Sequence, residues 1–276
     1  MIPMADSSRS VDVVRVRGSE RATDVDRAAT EEPLEIRLHG QPFAVIMRTP
    51  GADLELAAGF LLAEGVCESF DALGAIEHCT DPDADHPENI VNVRLAQLPA
   101  EGLDGLLAGR RQVTTNASCG LCGRRTIESL ASKAPPIRST WTIATSDLIQ
   151  LPDRLRARQA VFAETGGLHA AALFAPPDRL IEAAEDVGRH NAVDKIIGRM
   201  LMREELPLSE YLLCVSGRAS FEIVQKALIA GVPVVAAVSA PSTLAIELAR
   251  EYGVTLVGFA RADSFNIYSH AERIVA

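Results

Sequence analysis

Cys119 and Cys122 sit in SCGLCGRRT (118–126), separated by two residues and followed directly by Arg124 and Arg125. A CxxC pair supports three chemistries: metal ligation, electron exchange and carriage of an atom. A structural zinc site needs four ligands, commonly a second CxxC or a closely spaced His pair. Cys67 and Cys79 are twelve positions apart, and His169 and His190 belong to other segments, so the candidates to complete such a site are poor. A thioredoxin-type dithiol follows a strand at the start of a helix in a βαβ unit. RQVTTNA before the pair reads as a strand, but Gly120, Gly123 and the later Pro135 and Pro136 predict an exposed, mobile loop. Carriage of sulfur needs exposure, a depressed thiol pKa and room to swing. Arg124, Arg125 and a nascent helix N-terminus supply positive charge, and Gly120 and Gly123 supply freedom. Either cysteine can be the acceptor, and its partner can resolve a persulfide as a disulfide.

The elements that must position this pair fall into two halves. Residues 1–30 lack apolar periodicity and are expected to form a flexible tail. PLEIRLHG and QPFAVIMRTP flank a His-Gly turn and predict a hairpin; ADLELAAGFLLAEGV predicts a helix ending near Gly65, and NIVNVRLAQL a strand. A smaller α+β domain over 31–145 carrying the cysteine loop follows. From 146 to 276 the rhythm is clearer: DRLRARQAVFAETGG reads as one helix, LHAAALFAPPDRLIEAAED as two strands, and NAVDKIIGRMLM as a helix. YLLCVSG, VPVVAAVSA and VTLVGFAR read as buried strands alternating with the helices ASFEIVQKALIAG and PSTLAIELAREYG. Such alternation predicts an α/β domain with a central sheet covered on both faces.

The chain has 276 residues, a net charge of −10 and five cysteines, Cys67, Cys79, Cys119, Cys122 and Cys214. That charge argues against a nucleic-acid partner, which needs clustered Lys and Arg. No run is long and apolar enough to span a membrane, and residues 1–30 lack a signal-peptide core, so a cytoplasmic protein is expected. An odd number of cysteines does not read as a disulfide framework, and Cys67, Cys79 and Cys214 are expected to be inert buried thiols.

Ligands in open α/β sheets bind beyond the carboxyl ends of strands. Polar residues are dense there: EDVGRHN, SGRAS, SAPS and GFARADSFNIY each follow an apolar run. Ser216, Gly217, Arg218 and Ser220 are placed at a helix N-terminus that favours an anion, and Arg189, Arg218 and Arg261 offer bidentate contacts to phosphate. Glu185, Asp186, Asp194 and Lys195 are further candidates to shape this pocket; the plainer alternative makes Asp186 a cap and Asp194 a surface charge.

SCGLCG, TGGLHAA, EDVGRHNAVDK, SGRASFEIVQKA and LVGFARADSFNIY, in this order from about residue 30 to the C-terminus, closely resemble the FdhD (FdhD/NarQ) family of formate dehydrogenase accessory sulfurtransferases. The resemblance implies a cytidine-deaminase-like three-layer α/β/α domain joined to the smaller domain with the CxxC loop. It also implies transfer of persulfide sulfur from a cysteine desulfurase to the bis-molybdopterin guanine dinucleotide cofactor of molybdenum or tungsten destined for formate dehydrogenase. Cys119 matches the usual persulfide carrier and Cys122 its assistant. Phe259, Ala260, Arg261, Ala262, Asp263 and Ser264 match the cofactor-binding stretch, with Ser216, Gly217, Arg218, Ser220, Gly188, Arg189, His190 and Asn191 completing the candidate pocket. Ala262 and Asp263 depart from the many members that carry Gly or a second basic residue there. The family suggests a homodimer and no tightly bound metal.

The deaminase kinship supplies its own test. A zinc deaminase needs a His or Cys followed two residues on by Glu, and P-C-x-x-C at a later helix start. The corresponding places read His190-Asn191-Ala192 and Ser216-Gly217-Arg218-Ala219-Ser220, without the Glu or the cysteines. Two other classes stay open on the residues alone: a thiol-disulfide oxidoreductase using Cys119 and Cys122, and a zinc-stabilised binding module.

Overall fold

The structure, a computed structural model, describes residues 6–98, 102, 103, 105, 114, 115, 134–261 and 263–276. Cys119, Cys122 and Ala262 lie outside the described residues, so the geometry below bears on the rest of the candidate site.

The C-terminal half is built on a six-stranded sheet. Its order is β10 (Arg179–Asp186), β9 (His169–Ala175), β11 (Leu212–Val215), β12 (Val234–Ala237), β13 (Thr255–Arg261), β14 (Ser264–Ser269). Strands β11, β12 and β13 are parallel, whereas β9 runs antiparallel to β11 and β14 antiparallel to β13. The all-apolar LLCV and VVAA are fully buried, as strands covered on both faces must be. On one face Ala171, Leu173, Leu213, Val215, Val235 and Leu256 pack with helices α5 (Arg189–Met202), α6 (Phe221–Ile229) and α7 (Thr243–Tyr252). On the other, Ala170, Ala172, Phe174, Cys214 and Val257 pack with Ile143, Leu148, Leu151 and Leu155. Helix α7 starts where the Ser242 hydroxyl accepts from Ala245 N–H and stops at Gly253 with φ 78°, the left-handed C′ position that glycine adopts without cost.

The N-terminal half contributes a five-stranded sheet ordered β5 (Leu73–His78), β6 (Ile90–Leu95), β3 (Glu32–Leu38), β4 (Gln41–Arg48), β7 (Thr114–Thr115). The expected β3–β4 hairpin turns at His39 and Gly40, with φ 49° and 80°, the two positive angles of a turn whose twist suits paired strands. Helix α1 (Asp53–Ala63) then crosses α5 with backbones in contact. A Cβ on Gly59 would lie 2.0 Å from Asp194 O, and one on Gly198 would lie 1.8 Å from Glu55 O. Only glycine permits that approach. Leu34, Ile36, Leu56, Leu61 and Val91 share one hydrophobic core with Val193, Ile196, Val224 and Leu256, so the two sheets are joined through a common interior.

Four expectations change. Residues 8–29 are not a flexible tail: β1 (Ser8–Arg17) and β2 (Glu20–Ala29) pair antiparallel around Gly18. The valines of VDVVRVR are interleaved with charges and, except Val13, remain well exposed, which hid the strand pattern. Residues 134–145, assigned to the smaller domain, pack on the larger one. Ile137 N–H donates to Tyr252 O, Trp141 Nε1 to Ser209 O, and β8 (Ile143–Ala144) pairs with β15 (Ile274–Val275). The helix expected across 153–167 is two helices, α3 (Leu151–Arg156) and α4 (Ala160–Thr165), following the single turn α2 (Thr145–Leu148). The break lets Val161 and Phe162 N–H donate to the Glu185 carboxylate at 3.0 and 2.8 Å. Finally, SFNIYS is a strand rather than a loop, so β13 is not the last.

Candidate functional site

A cavity of about 540 Å³ opens at the edge of the six-stranded sheet where β11, β12 and β13 end. Ser216, Val238, Ala260 and Arg261 supply that rim, and His169 comes from the amino end of β9, which reaches the same edge because it runs antiparallel to β11. The opposite wall is the α3–α4 segment: Pro152, Asp153, Leu155, Arg156, Gln159, Phe162, Gly166, Gly167 and Leu168.

Short backbone links between the loops fix the rim. The Ser216 hydroxyl accepts from Ala170 N–H at 2.9 Å, Ser239 N–H donates to Gly217 O, and Phe259 N–H donates to Ser239 O, stitching three strand ends together. Arg261 Nε donates to Val238 O at 2.9 Å, and its guanidinium carbon stands 6.0 Å from the Phe259 ring centroid. Phe259 has φ 54° inside an irregular stretch of the β13–β14 ladder and leaves two-fifths of its surface exposed. A bulky residue held in the left-handed region is backbone strain of the kind that collects at ligand sites.

The rim is cationic in a chain of net charge −10. A Cβ on Gly217 would sit 3.4 Å from His169 Nδ1 and 3.9 Å from Arg189 Cδ, ordinary contact distances that place these three residues side by side. Burial, then the neighbouring Arg189 and Arg218 cations, hold the half-buried His169 below the ordinary histidine range, while Asp186 pulls the other way. Arg156 and Arg261 line the cavity, Arg189 and Arg218 act on its His169, and its one lining carboxylate among the described residues is Asp153. Such a basket suits an anionic ligand of nucleotide size.

Of the sequence candidates, Ser216, Ala260 and Arg261 line the cavity; Gly217, Arg218, Arg189 and Phe259 are not among its lining residues, although Gly217, Arg189 and Arg218 neighbour His169 and Phe259 neighbours Arg261. Asp263 and Ser264, at the start of β14, are not among its lining residues. Gly188, Asn191 and the four acidic and basic candidates lie deeper and do structural work. Asp186 is fully buried. Its carboxylate accepts from Thr49 N–H (3.1 Å), Gly188 N–H (2.8 Å) and Asn191 Nδ2 (2.8 Å), and pairs with Lys195 Nζ at 2.7 Å. Lys195 also donates to Thr49 O, and Asn191 to Met47 O. This hub ties the start of α5 to the end of β4, and a Cβ on Gly188 would strike the Asn191 amide at 2.7 Å. Asp194 is not a surface charge: it is buried and held by Lys226 Nζ at 2.7 and 2.8 Å.

His190 and Ser220 do meet, Nε2 to Oγ at 3.2 Å, which brings the starts of α5 and α6 together. His190 is buried with no hydrogen-bond partner on Nδ1 among the described residues, and burial, helped by Lys226, Arg189 and His169, pushes it down to about 3. The unfolded chain protonates this residue near its ordinary value of 6.5. The stability it confers is therefore present above about pH 6.5 and lost as pH falls toward 3. Asp194 acts in the opposite sense, since burial raises it from 3.8 to about 6 and its contribution is lost as pH rises through 6. Urea midpoints at pH 4, 5, 6 and 7 are expected to fall with acid in the wild type and to fall much less in His190→Gln. Parallel curves for the two proteins would refute a buried neutral imidazole.

Cys67 and Cys214 are buried thiols that burial pushes up to about 12, and Cys79 is buried as well. Cys67 and Cys214 are thereby poor thiolate nucleophiles, and Cys119 and Cys122 fall outside the described residues. Among the described residues no helix is long and apolar enough to cross a membrane, and no group of three His, Cys, Asp or Glu side chains could hold a metal ion.

Asp153, Arg156, Gln159, Phe162, Gly166, Gly167 and His169 were missed by sequence reasoning that inspected strand carboxyl ends. The signal was present in TGGLHAA: a Gly-Gly stop directly before a strand, with a histidine as its first residue.

Comparison with known proteins agrees with this architecture. The model of the FdhD/NarQ family matches residues 29–275. Proteins named sulfur carrier protein FdhD are 49% identical over 274 residues in Streptomyces coelicolor, covering 95% of this chain and 94% of that protein, and 50% identical over 271 residues in Streptomyces avermitilis, with the same coverage. One from Mycobacterium tuberculosis is 47% identical over 259 residues, covering 91% of this chain and 93% of its own length. The crystal structure of a protein described as a formate dehydrogenase accessory protein from Desulfotalea psychrophila superposes with a TM-score of 0.77 at 24% identity, covering 99% of this chain and 100% of the other, and so shares the fold. The chain belongs to the FdhD/NarQ family.

Proposed function

We propose that this protein is a sulfur carrier in formate dehydrogenase maturation, taking persulfide sulfur from a cysteine desulfurase on Cys119 and handing it to a bis-molybdopterin guanine dinucleotide cofactor held in the 540 Å³ cavity. The observation that carries the reading is that cavity: a cationic, nucleotide-sized basket in an acidic chain whose relatives are named sulfur carrier proteins. The deaminase kinship fits the meeting of His190 and Ser220, where Gly, Ser and Arg stand in place of zinc ligands.

In the loading step the Cys119 thiolate attacks the terminal sulfur of the donor persulfide. A new S–S bond forms at Cys119, the donor S–S bond breaks, and the desulfurase leaves as a thiolate; no net oxidation occurs. Release as sulfide needs two electrons. Cys122 attack on the inner sulfur of the Cys119 persulfide supplies them, freeing HS⁻ and leaving a Cys119–Cys122 disulfide that a cellular dithiol reductant resets. The cavity's role is to hold the substrate's phosphates on Arg261, Arg218 and Arg189 beside Ser216, with His169 neutral and able to donate or accept a hydrogen bond.

The test is mass spectrometry of the reduced protein after incubation with a cysteine desulfurase and cysteine. The peptide spanning 119–122 is expected to gain one sulfur, to lose that gain in Cys119→Ala, and to retain a longer-lived persulfide in Cys122→Ala. An unmodified wild-type peptide beside an active desulfurase, with a reversible Cys119–Cys122 disulfide and no nucleotide binding, would support a dithiol oxidoreductase instead.

A further inference from the structure

The two short helices that wall the cavity are held very differently. Helix α3 is anchored by Leu151 and Leu155, both buried against the large sheet. Helix α4 buries none of its six residues, yet Phe162 and the Gly166–Gly167 turn that follows it line the cavity. Both of its ends are places where the backbone turns: Gln159 at φ −88° and ψ 69°, outside the helical region, and Gly166 at φ 68°, which glycine adopts without steric cost. Behind the α3–α4 junction lies a second cavity of about 100 Å³, lined by Arg158, Gln159, Ala170, Ala183 and Glu185 among others. Leu155 and Gln159 line both cavities, so the junction stands between two voids and forgoes packing contacts on either side.

What fixes α4 is polar and comes from two sides. On the inner side the Glu185 carboxylate receives Val161 and Phe162 N–H, two of the donors that a helix start leaves free. On the outer side the base of the β1–β2 ribbon meets Glu164: Ser8 Oγ donates to its carboxylate at 3.3 Å, and Arg27 pairs with it at 3.6 Å. Next to this contact a Cβ on Gly167 would lie 3.4 Å from the Ala29 methyl. Arg27 and Glu164 are each about half exposed, so the outer hold is weak. We propose that α4 is a hinged flap on the cavity and that the base of the ribbon is its latch. Opening swings α4 about Gln159 and Gly166, away from Glu185, and displacement of the ribbon at Arg27 loosens it. A segment without buried side chains opens at far lower free energy than the core strands. The latch joins Ser8 to Glu164 across 156 positions of sequence, so access to the cavity depends on a contact that the cavity itself does not make. The device does not depend on which molecule the cavity holds.

Amide hydrogen exchange of the full-length protein, resolved at Val161 and Phe162, tests both parts. In the wild type these two amides are expected to exchange at least about 100-fold faster than those of β11 and β12, through local opening. Glu164→Ala and Arg27→Ala should each speed them a further threefold or so, the size of an exposed ion pair, and leave β11 and β12 unchanged. A change in helix propensity cannot imitate this: alanine is a better helix former than glutamate and would slow exchange, and Arg27 is not on the helix. The double variant should exchange no faster than Glu164→Ala alone, because both substitutions break one contact. If Val161 and Phe162 exchange only together with β11 and β12, the flap is overturned. If they exchange early but the single variants match wild type, or their effects add in the double variant, the flap stands and the ribbon's role as its latch is overturned.

Discussion

Gly198→Ala is expected to destabilise the protein by about 3–5 kcal/mol, enough to leave little folded chain at 37 °C. In an ordinary helix interior the same change gains about 1 kcal/mol, because alanine is the better helix former. Here the sign reverses. The added carbon would meet Glu55 O at 1.8 Å, a backbone atom that no rotamer change can move. Relief requires α1 and α5 to separate along their whole crossing, opening the shared core around Leu56, Phe60, Val193 and Ile197. Gly59→Ala, aimed at Asp194 O at 2.0 Å, should behave alike, and the two together should cost less than their sum because one separation relieves both. Urea unfolding followed by circular dichroism decides it; a midpoint at or above wild type for Gly198→Ala would mean that the helices do not touch.

The second large effect is at the buried hub. Lys195→Met removes the one cation that, among the described residues, pairs with the fully buried Asp186 carboxylate and strands its negative charge, which costs about 3–5 kcal/mol. Adding Asp186→Asn to that variant should recover a substantial part, since the stranded charge is then gone and only hydrogen bonds are imperfect. The double-mutant cycle is therefore expected to show strong coupling. Independent, additive losses would place the attraction between these residues below the cost of burying them and leave the hub held by Thr49, Gly188 and Asn191 alone.

Much of this was legible in the sequence, for reasons that can be named. The strands LLCV and VVAA are apolar throughout because both their faces are covered, and the run length and flanking glycines identify them. Ser242 and Gly253 mark α7 because caps are local chemistry. The helix start at Ser220 was readable for the same reason. What escaped depends on chain direction and on contacts distant in sequence. His169 enters the rim only because β9 runs antiparallel to β11, and no local pattern states that orientation. Asp186 is written as an ordinary helix-start acid; its burial comes from Thr49, 137 positions away. The split between α3 and α4 has a similar origin, since the Glu185 carboxylate that receives Val161 and Phe162 lies on another strand. For Cys119 and Cys122, which lie outside the described residues, residue type and spacing left three chemistries open, and the family resemblance supplied the proposed one.

The β1–β2 ribbon has a practical consequence. At its base Ser8 Oγ donates to Glu164, Arg27 pairs with the same carboxylate at 3.6 Å, and a Cβ on Gly167 would lie 3.4 Å from the Ala29 methyl. Glu164 is on α4, and Gly167 is part of the cavity wall. An affinity tag at the N-terminus would therefore join the ribbon whose base packs beside the cavity wall, while the ribbon's exposed valines and its edges, unpaired among the described residues, invite association between tagged molecules. Binding assays on this protein call for a cleaved N-terminus, and a weak nucleotide affinity measured with the tag in place would report on the handle rather than on the pocket.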